Sequence, residues 1–585
     1  MINQDEIKFD LPLNEGKSKV MPLSEAIKKH VKPRMMIDIG YSYGRPNAAI
    51  NEIVRQFDGK DPKFSIVTAG LVANQAALVS RGLVKKIIAS FCGDNFPTPG
   101  PNPIFQRAYK NGQIEIENWS LLSLNQRLFA GAMGIPFVPT NSLKDSGMSA
   151  NADFHELANP FDENHSVGIV KALRPDIVVV HGLMADENGN VILSPPYGEG
   201  LYGAMASKDG VIVTVEKIVS TNFIRKHAAH VKIPGYLVKS VSEVPFGAHP
   251  YGVFNPGIEG PSSYVEDNDF IVTVRNKAKN EMEFEDWVKE WILECKDHSQ
   301  YLGKIGKEKL QVIKQGSLAE SWREDLPQDF YNRVNKPEYT DEEMMVVVTA
   351  RKIKEKMREN NYHTILAGVG FSNLASWLAT SVLKEENFDV ELMAEIGMFG
   401  YLPRPGEPFI FSNRNLPTCK MYSDVLTTLG IMVGGSNNPC LGAIGAGQID
   451  KIGNINSTFT ANGDFMVGSG GANDIASASQ ELVVTVKQSQ HRFIEKVPYV
   501  TSPGRNIKTV VSTLGVFEKD DRSNELILTS YFYKKGETTE QSVQSIKNKC
   551  GWDLRVSPQL KIIEPPTIEE LEMIRYFDPN RVFLK

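Results

Sequence analysis

Cysteine is scarce in this chain: Cys92, Cys295, Cys419, Cys440 and Cys550 are the five among 585 residues, scattered and odd in number. Such spacing gives no disulfide framework and no CxxC metal pair. Cys92 and Cys440 stand beside glycine-bearing loops, where a thiol is either a small buried residue or a reactive group. No run of about 18 apolar residues occurs, so no membrane-spanning helix is expected. The opening residues, Met1 to Glu6, are polar and acidic and lack the basic-then-apolar order of a secretory signal. Basic excess is absent as well. With 64 Lys and Arg against 70 Asp and Glu, the net charge of -6 offers no footprint for nucleic acid or an anionic membrane. The expectation is a cytoplasmic protein that partners neither.

What is present is an ordinary globular balance, 41% hydrophobic and 23% charged, in a chain long enough for several domains. After a polar lead-in with a short helix from Pro22 to His30, the pattern becomes α/β. Met35-Met-Ile-Asp-Ile is a buried strand, Gly40 to Gly44 a glycine turn, and Asn47 to Phe57 a helix. Further strand and helix units follow at Phe64-Ser-Ile-Val-Thr, Ala73 to Gly82 and Lys86-Ile-Ile-Ala-Ser, which predicts a parallel sheet covered by helices.

The second half repeats the first. Asp186, Gly189 and Asn190 are answered by Asp450, Gly453 and Asn454; Val211-Ile-Val-Thr-Val by Leu482-Val-Val-Thr-Val; Ile37-Asp-Ile-Gly by Ile365-Leu-Ala-Gly. Three matched elements in one order predict two copies of one fold, since a period above 200 residues is a duplicated domain and not a solenoid. The expected division is residues 1–280, a helical connector packed outside over 281–339 with Trp287, Trp291 and Trp322 as anchors, and residues 340–585. A capped helix is expected after Pro565-Pro-Thr.

The chemistry is placed at Leu392-Met-Ala-Glu-Ile-Gly-Met-Phe-Gly-Tyr-Leu-Pro. Glu395 lies there between Ala394 and Ile396, trailed by Gly397 and Gly400, in an apolar and sharply turning segment. A carboxylate so poorly solvated is either paired, with Arg404 or Arg414 nearby in sequence, or reactive. Two glycine-bearing loops accompany it. Gly368-Val-Gly-Phe follows a strand and opens the helix from Ser372 to Val382, but lacks the third glycine of a dinucleotide fingerprint. Gly468-Ser-Gly-Gly-Ala-Asn-Asp-Ile-Ala has three glycines in four residues, either a tight turn or a set of backbone N–H groups facing a phosphate or an oxyanion.

These residues resemble the type I CoA-transferases, the family of succinyl-CoA:3-oxoacid and glutaconate CoA-transferases, over nearly the whole chain from about Met35. Ala394-Glu-Ile-Gly stands where the β half of that family carries Ser-Glu-Asn-Gly or Glu-Ser-Gly. Gly445-Ala-Gly-Gln-Ile-Asp-Lys-Ile-Gly-Asn is similar to its glutaconate-type β motif, and Gly468 to Asp474 to its Gly-Met-Gly-Gly-Ala-Met-Asp. In the α half, Ser90-Phe-Cys-Gly-Asp-Asn resembles Ser-Tyr-Val-Gly-Glu-Asn. Two departures stand out. The family's Gly-Gly-Phe-Gly-x-x-Gly-Ile-Pro is reduced to Asp38-Ile-Gly-Tyr-Ser-Tyr-Gly-Arg-Pro, and Ile396 replaces an Asn.

The resemblance implies two similar open α/β domains, α-like and β-like, fused in one chain with the active site between them. It implies a ping-pong acyl-CoA:carboxylate CoA-transferase whose nucleophile is Glu395. Gly468, Gly470, Gly471, Ala472, Gln448 and Gly397 become candidates for the oxyanion and CoA, with Asp94, Asn95 and Gly44 secondary. It implies a CoA thioester and a small carboxylic acid as substrates, no metal and no bound cofactor, and a homo-oligomer, dimer or tetramer. The competing expectation is an acyl-CoA hydrolase, ring-opening in some relatives, in which Glu395 or Asp94 acts as general base for water.

Overall fold

A computed structural model describes residues 15–40, 43–437 and 439–585. The opening residues 1–14, and Tyr41 and Ser42 of the altered glycine loop, lie outside the described residues.

Short runs of Val, Ile and Leu form strands buried on both faces, as a helix-covered parallel sheet requires. In the first half β1 (Met36–Ile39) is flanked by β2 (Phe64–Val72) and β3 (Ile177–Asp186), and β4 (Val211–Val219) and β5 (Val238–Glu243) continue outward from β3, all parallel. In the second half β6 (Thr364–Ala367) is flanked by β7 (Glu391–Ala394) and β8 (Cys440–Gly445), with β9 (Glu481–Val486) and β10 (Ile507–Ser512) continuing outward, again all parallel. One spatial order is therefore built twice. The matched Val-Thr-Val segments are β4 and β9, at the same place in each sheet.

The repeated Asp-x-x-Gly-Asn pattern is a turn in both copies. Asp186 accepts the Asn190 N–H at 2.9 Å, and Asp450 accepts the Asn454 N–H at 2.9 Å. Each Asn then accepts a second loop, Gly235 N–H at 2.9 Å and Gly504 N–H at 2.8 Å. This motif builds scaffold, not chemistry.

The helix Asn47–Phe57 has the expected bounds, while the expected helix from Ser372 to Val382 runs over Phe371–Glu385 because Leu383 extends its buried face. The segment after β2 is a 3-10 turn, Ala73–Ala76, and a single helical turn, Ala77–Ser80. Between the halves, Phe284, Trp287 and Val288 of the helix Glu281–Val288 are buried in the core of the first sheet, so this segment is not only an outer layer. Trp322 packs against Gly406 of the second half. Thr567 and Glu570 form the capping box of the last helix, Ile568–Phe577.

The halves interlock through backbone. Phe91 and Gly468 form an antiparallel bridge, Cys92 N–H donates to Val467 O at 2.9 Å, Gly470 N–H to Ser90 O at 3.0 Å, and Leu121 N–H to Gly470 O at 2.9 Å. Among the described residues, no helix is long and apolar enough to cross a membrane.

Candidate active site

Glu395 occupies the turn at the C-terminal end of β7. The chain reverses there into the short strand Met398–Phe399, with Ala394 opposite Met398 and the Gly397 N–H donating to Ala394 O at 3.1 Å. Gly397 makes this turn possible. Its φ is +119°, and a Cβ there would stand 2.2 Å from Ser423 O. Open α/β sheets bind ligands outside the carboxyl ends of their strands, which is where the turn presents Glu395.

The carboxyl of Glu395 lies against Gly471, close enough that a Cβ on that glycine would be 2.0 Å from Oε2. Burial pushes this carboxyl up to about 7, the charge of Asp474 adds to the rise, and a hydrogen bond from the Gly471 N–H acts against it. No ion pair reaches Glu395 among the described residues; Arg414 pairs with Asp325 instead. Of the two readings of this half-buried acid, paired or reactive, the pairing with Arg404 or Arg414 is absent among the described residues.

Asp474 joins the halves behind Glu395. It lies in the helix Ala472–Ala478, is fully buried, accepts Leu122 N–H at 2.9 Å and Ser142 Oγ–H at 2.6 Å, and is pushed up to about 6 by burial. The neighbouring Asn473 accepts Leu143 N–H at 2.9 Å. In sequence this stretch reads as a glycine motif that gives Asp474 no role of its own; its position four residues after Gly470 is the signal that points to it.

Glu395 faces a cavity of about 80 Å³ with walls from both halves: Val72, Phe91 and Leu121 from the first, Val369, Phe409 and Phe411 from the second. A smaller compartment of about 30 Å³ adjoins it, sharing Asn95, Ile396, Phe409 and Phe411 and adding Arg45, Tyr251 and Glu266. In the sequence Arg45 falls in the altered glycine loop, and nothing there marks it, Tyr251 and Glu266 as neighbours.

The remaining candidates divide. Gly470 and Asn95 line the main cavity. The Gly470 N–H, however, is donated to Ser90 O, the Ala472 N–H to Ser469 O at 3.0 Å and the Gly468 N–H to Ser457 O at 3.3 Å. These three are occupied as donors within the protein, whereas the Gly471 N–H bonds the Glu395 carboxyl. Gln448 lies in a small hairpin, where its side chain bonds Asn456 at 2.8 Å and His491 O at 3.2 Å, and it does not line the cavity. Asp94 accepts Asn102 at 2.9 Å, lies 3.5 Å from Arg275 and anchors a turn closed by Gly100, outside the cavity wall. Burial pushes Asp94 up to about 6. Gly44 is required by packing, since a Cβ there would be 2.5 Å from His181 O. Among the described residues, no group of three His, Cys, Asp or Glu side chains could hold a metal ion.

Comparison with known proteins fits this geometry. A family model described as coenzyme A transferase matches residues 20–244. The B-type subunit of the 3-oxoadipate CoA-transferase of Pseudomonas knackmussii is 30% identical over 265 residues, covering 40% of this chain and 92% of that protein. The chain belongs to the coenzyme A transferase family. The A-type subunit of the glutaconate CoA-transferase of Acidaminococcus fermentans is 28% identical over 318 residues, 51% of this chain and 95% of that protein. Both parts of a two-part CoA-transferase thus stand in one polypeptide. The crystal structure of the acyl-CoA transferase YdiF from E. coli O157:H7, in a thioester complex with CoA, shares the fold over 96% of both chains, with a TM-score of 0.63 at 16% identity.

Proposed function

We propose that this CoA-transferase moves CoA between an acyl-CoA and a small carboxylic acid by a ping-pong route through a glutamyl-CoA thioester on Glu395. The observation that carries the reading is the placement of Glu395: a carboxyl in an apolar cavity walled by both halves, held by one backbone N–H and, among the described residues, by no cation. In such a cavity the carboxylate has lost the water that would blunt it.

In the first step a Glu395 oxygen attacks the thioester carbonyl, the C–S bond of the tetrahedral adduct breaks, and CoA leaves as thiolate, giving a mixed anhydride of Glu395 and the acyl group. The thiolate then attacks the Glu395 carbonyl carbon, releasing the donor's acyl group as a free carboxylate and leaving CoA on the enzyme. An incoming carboxylate reverses both steps and departs as the new acyl-CoA, which restores Glu395. Each attack passes through a tetrahedral oxyanion. Gly471 N–H and the amide of Asn95, which lines the cavity, are the proposed donors, each worth about 3 to 4 kcal/mol where such a donor has been removed in other enzymes.

A hydrolase using Asp94 as base is disfavoured by its ties to Asn102 and Arg275 and its place outside the wall. Incubation with an acyl-CoA, followed by borohydride or hydroxylamine and mass spectrometry of the peptide holding Glu395, tests the proposal. A modified Glu395 is expected in wild type. Modification elsewhere, or turnover to free CoA at equal rate with and without added carboxylate, contradicts it.

A further inference from the structure

Phe409, Ile410 and Phe411 lie in a loop of the second half and divide their side chains between two surroundings. Ile410 is buried in the core around the second sheet, while Phe409 and Phe411 both face the cavity that holds Glu395. The two rings meet edge to face with centroids 5.6 Å apart, and Phe409 meets Phe96 of the first half in the same way, also at 5.6 Å. The loop that carries them is pinned. The Asn373 side chain donates to Pro408 O at 2.7 Å, Gly406 N–H to Tyr576 O at 3.1 Å, and the Asn413 side chain to Tyr264 O at 2.8 Å. Both rings also wall the adjoining compartment of about 30 Å³, so they stand between it and the cavity of about 80 Å³ beside Glu395.

We propose that Phe409 and Phe411 keep the acceptor's place dry while CoA waits on Glu395, which makes the protein a transferase and not a hydrolase. The inference rests on the CoA-transfer reading above and adds the residues that decide the fate of its intermediate.

The need follows from the ping-pong order. Once the donor's acid has left, the glutamyl-CoA thioester stands beside an empty space, and a water held there is a rival nucleophile. Its oxygen would bond to the Glu395 carbonyl carbon and the C–S bond would break. CoA would leave as thiol with one proton of the water, the other proton would go to solvent, and Glu395 would return as carboxylate. Volume alone does not keep water out, since about 80 Å³ exceeds what one molecule needs. The wall does. A water stays in a cavity where it finds about two to four polar partners, and apolar cavities remain empty. Among the described residues the polar side chains facing the cavity are Ser90, Asn95 and Glu395, and the Ser90 hydroxyl is already donated to Ala69 O at 2.5 Å. A closed, dry site of this kind protects a reactive intermediate from hydrolysis. Cutting either ring back to a methyl would open the cavity into its neighbour.

The test starts from whichever of acetyl-, butyryl- and succinyl-CoA loads Glu395 most, with donor and free acid then removed by gel filtration. The adduct is divided between water labelled with heavy oxygen and buffer containing the acid of the same acyl group. Mass spectrometry of the Glu395 peptide reads hydrolysis as label gained, and acyl-CoA formed reads transfer. In wild type, hydrolysis should be slower than transfer by about 100-fold or more, and the ratio of hydrolysis to transfer should rise about tenfold or more in Phe411→Ala and in Phe409→Ala. Phe411→Leu, smaller but apolar, should restore most of the wild-type ratio, which a general loss of structure would not do. An unchanged ratio in either folded Ala variant overturns the proposal. So does a wild-type adduct that hydrolyses as fast as it transfers, a result that needs no variant to fold. Both of these leave the CoA-transfer reading standing, whereas absence of any Glu395 adduct in wild type overturns both.

Discussion

At the scale of single residues, the ionisation of Glu395 governs the proposed chemistry. In the proposed route only its carboxylate attacks, and burial with the charge of Asp474 pushes it up to about 7 from the ordinary 4.5. The rate of adduct formation should therefore rise with pH through about 7. Asp474→Asn removes the charge yet keeps an oxygen for Leu122 N–H, so the acid limb of that profile should move to lower pH; an unmoved limb would exclude Asp474 as the tuning group. Glu395→Asp should fold normally and lose about 100-fold in turnover, because one methylene withdraws the attacking oxygen by about 1 Å. Glu395 itself was legible in the sequence: apolar flanks and a glycine turn mark a poorly solvated carboxyl. Asp474, Arg45 and Glu266 were not. Each gains its neighbours from the other half or from a distant loop, and no local pattern records a tertiary contact.

At the scale of elements, two glycine-bearing turns hold Glu395. Gly471→Ala places a methyl 2.0 Å from Glu395 Oε2. The chain should still fold, at a cost of about 1 to 3 kcal/mol for overpacking, while adduct formation falls by about 100-fold as the carboxyl is displaced. Single-turnover kinetics beside a thermal melt separates the two effects. Unaltered kinetics in a folded Gly471→Ala protein would remove Gly471 from the site. The glycine-rich loop was legible as a candidate because three glycines in four residues are unusual. Which of its N–H groups remain available was not, since Ser90 and Ser457, distant in sequence, take two of them and Ser469 of the loop itself a third. The matched strands were the clearest reading, because buried parallel strands carry their apolar composition wherever they stand.

At the scale of the whole molecule, duplication places two sheets so that their loops meet, and several carboxyls are buried or half-buried where they meet. Glu395 near 7 and Glu266 near 8 both sit above the ordinary 4.5. The sign follows from proton binding. Below about 4.5 folded and unfolded chains both hold these protons; between 4.5 and about 7 to 8 the unfolded chain loses them while the folded chain keeps them, so these groups lower stability as pH rises through that window. Glu266→Gln should therefore gain on wild type in denaturant stability from pH 5 to pH 8; a constant difference would place Glu266 in solvent. The central claim, that CoA is carried on Glu395, is tested most directly by mass spectrometry of borohydride-trapped protein after mixing with acyl-CoA. Reduction confined to Glu395 in wild type, and absent in a folded Glu395→Gln protein, is the expected result; an equal yield of trapped product in Glu395→Gln would contradict it.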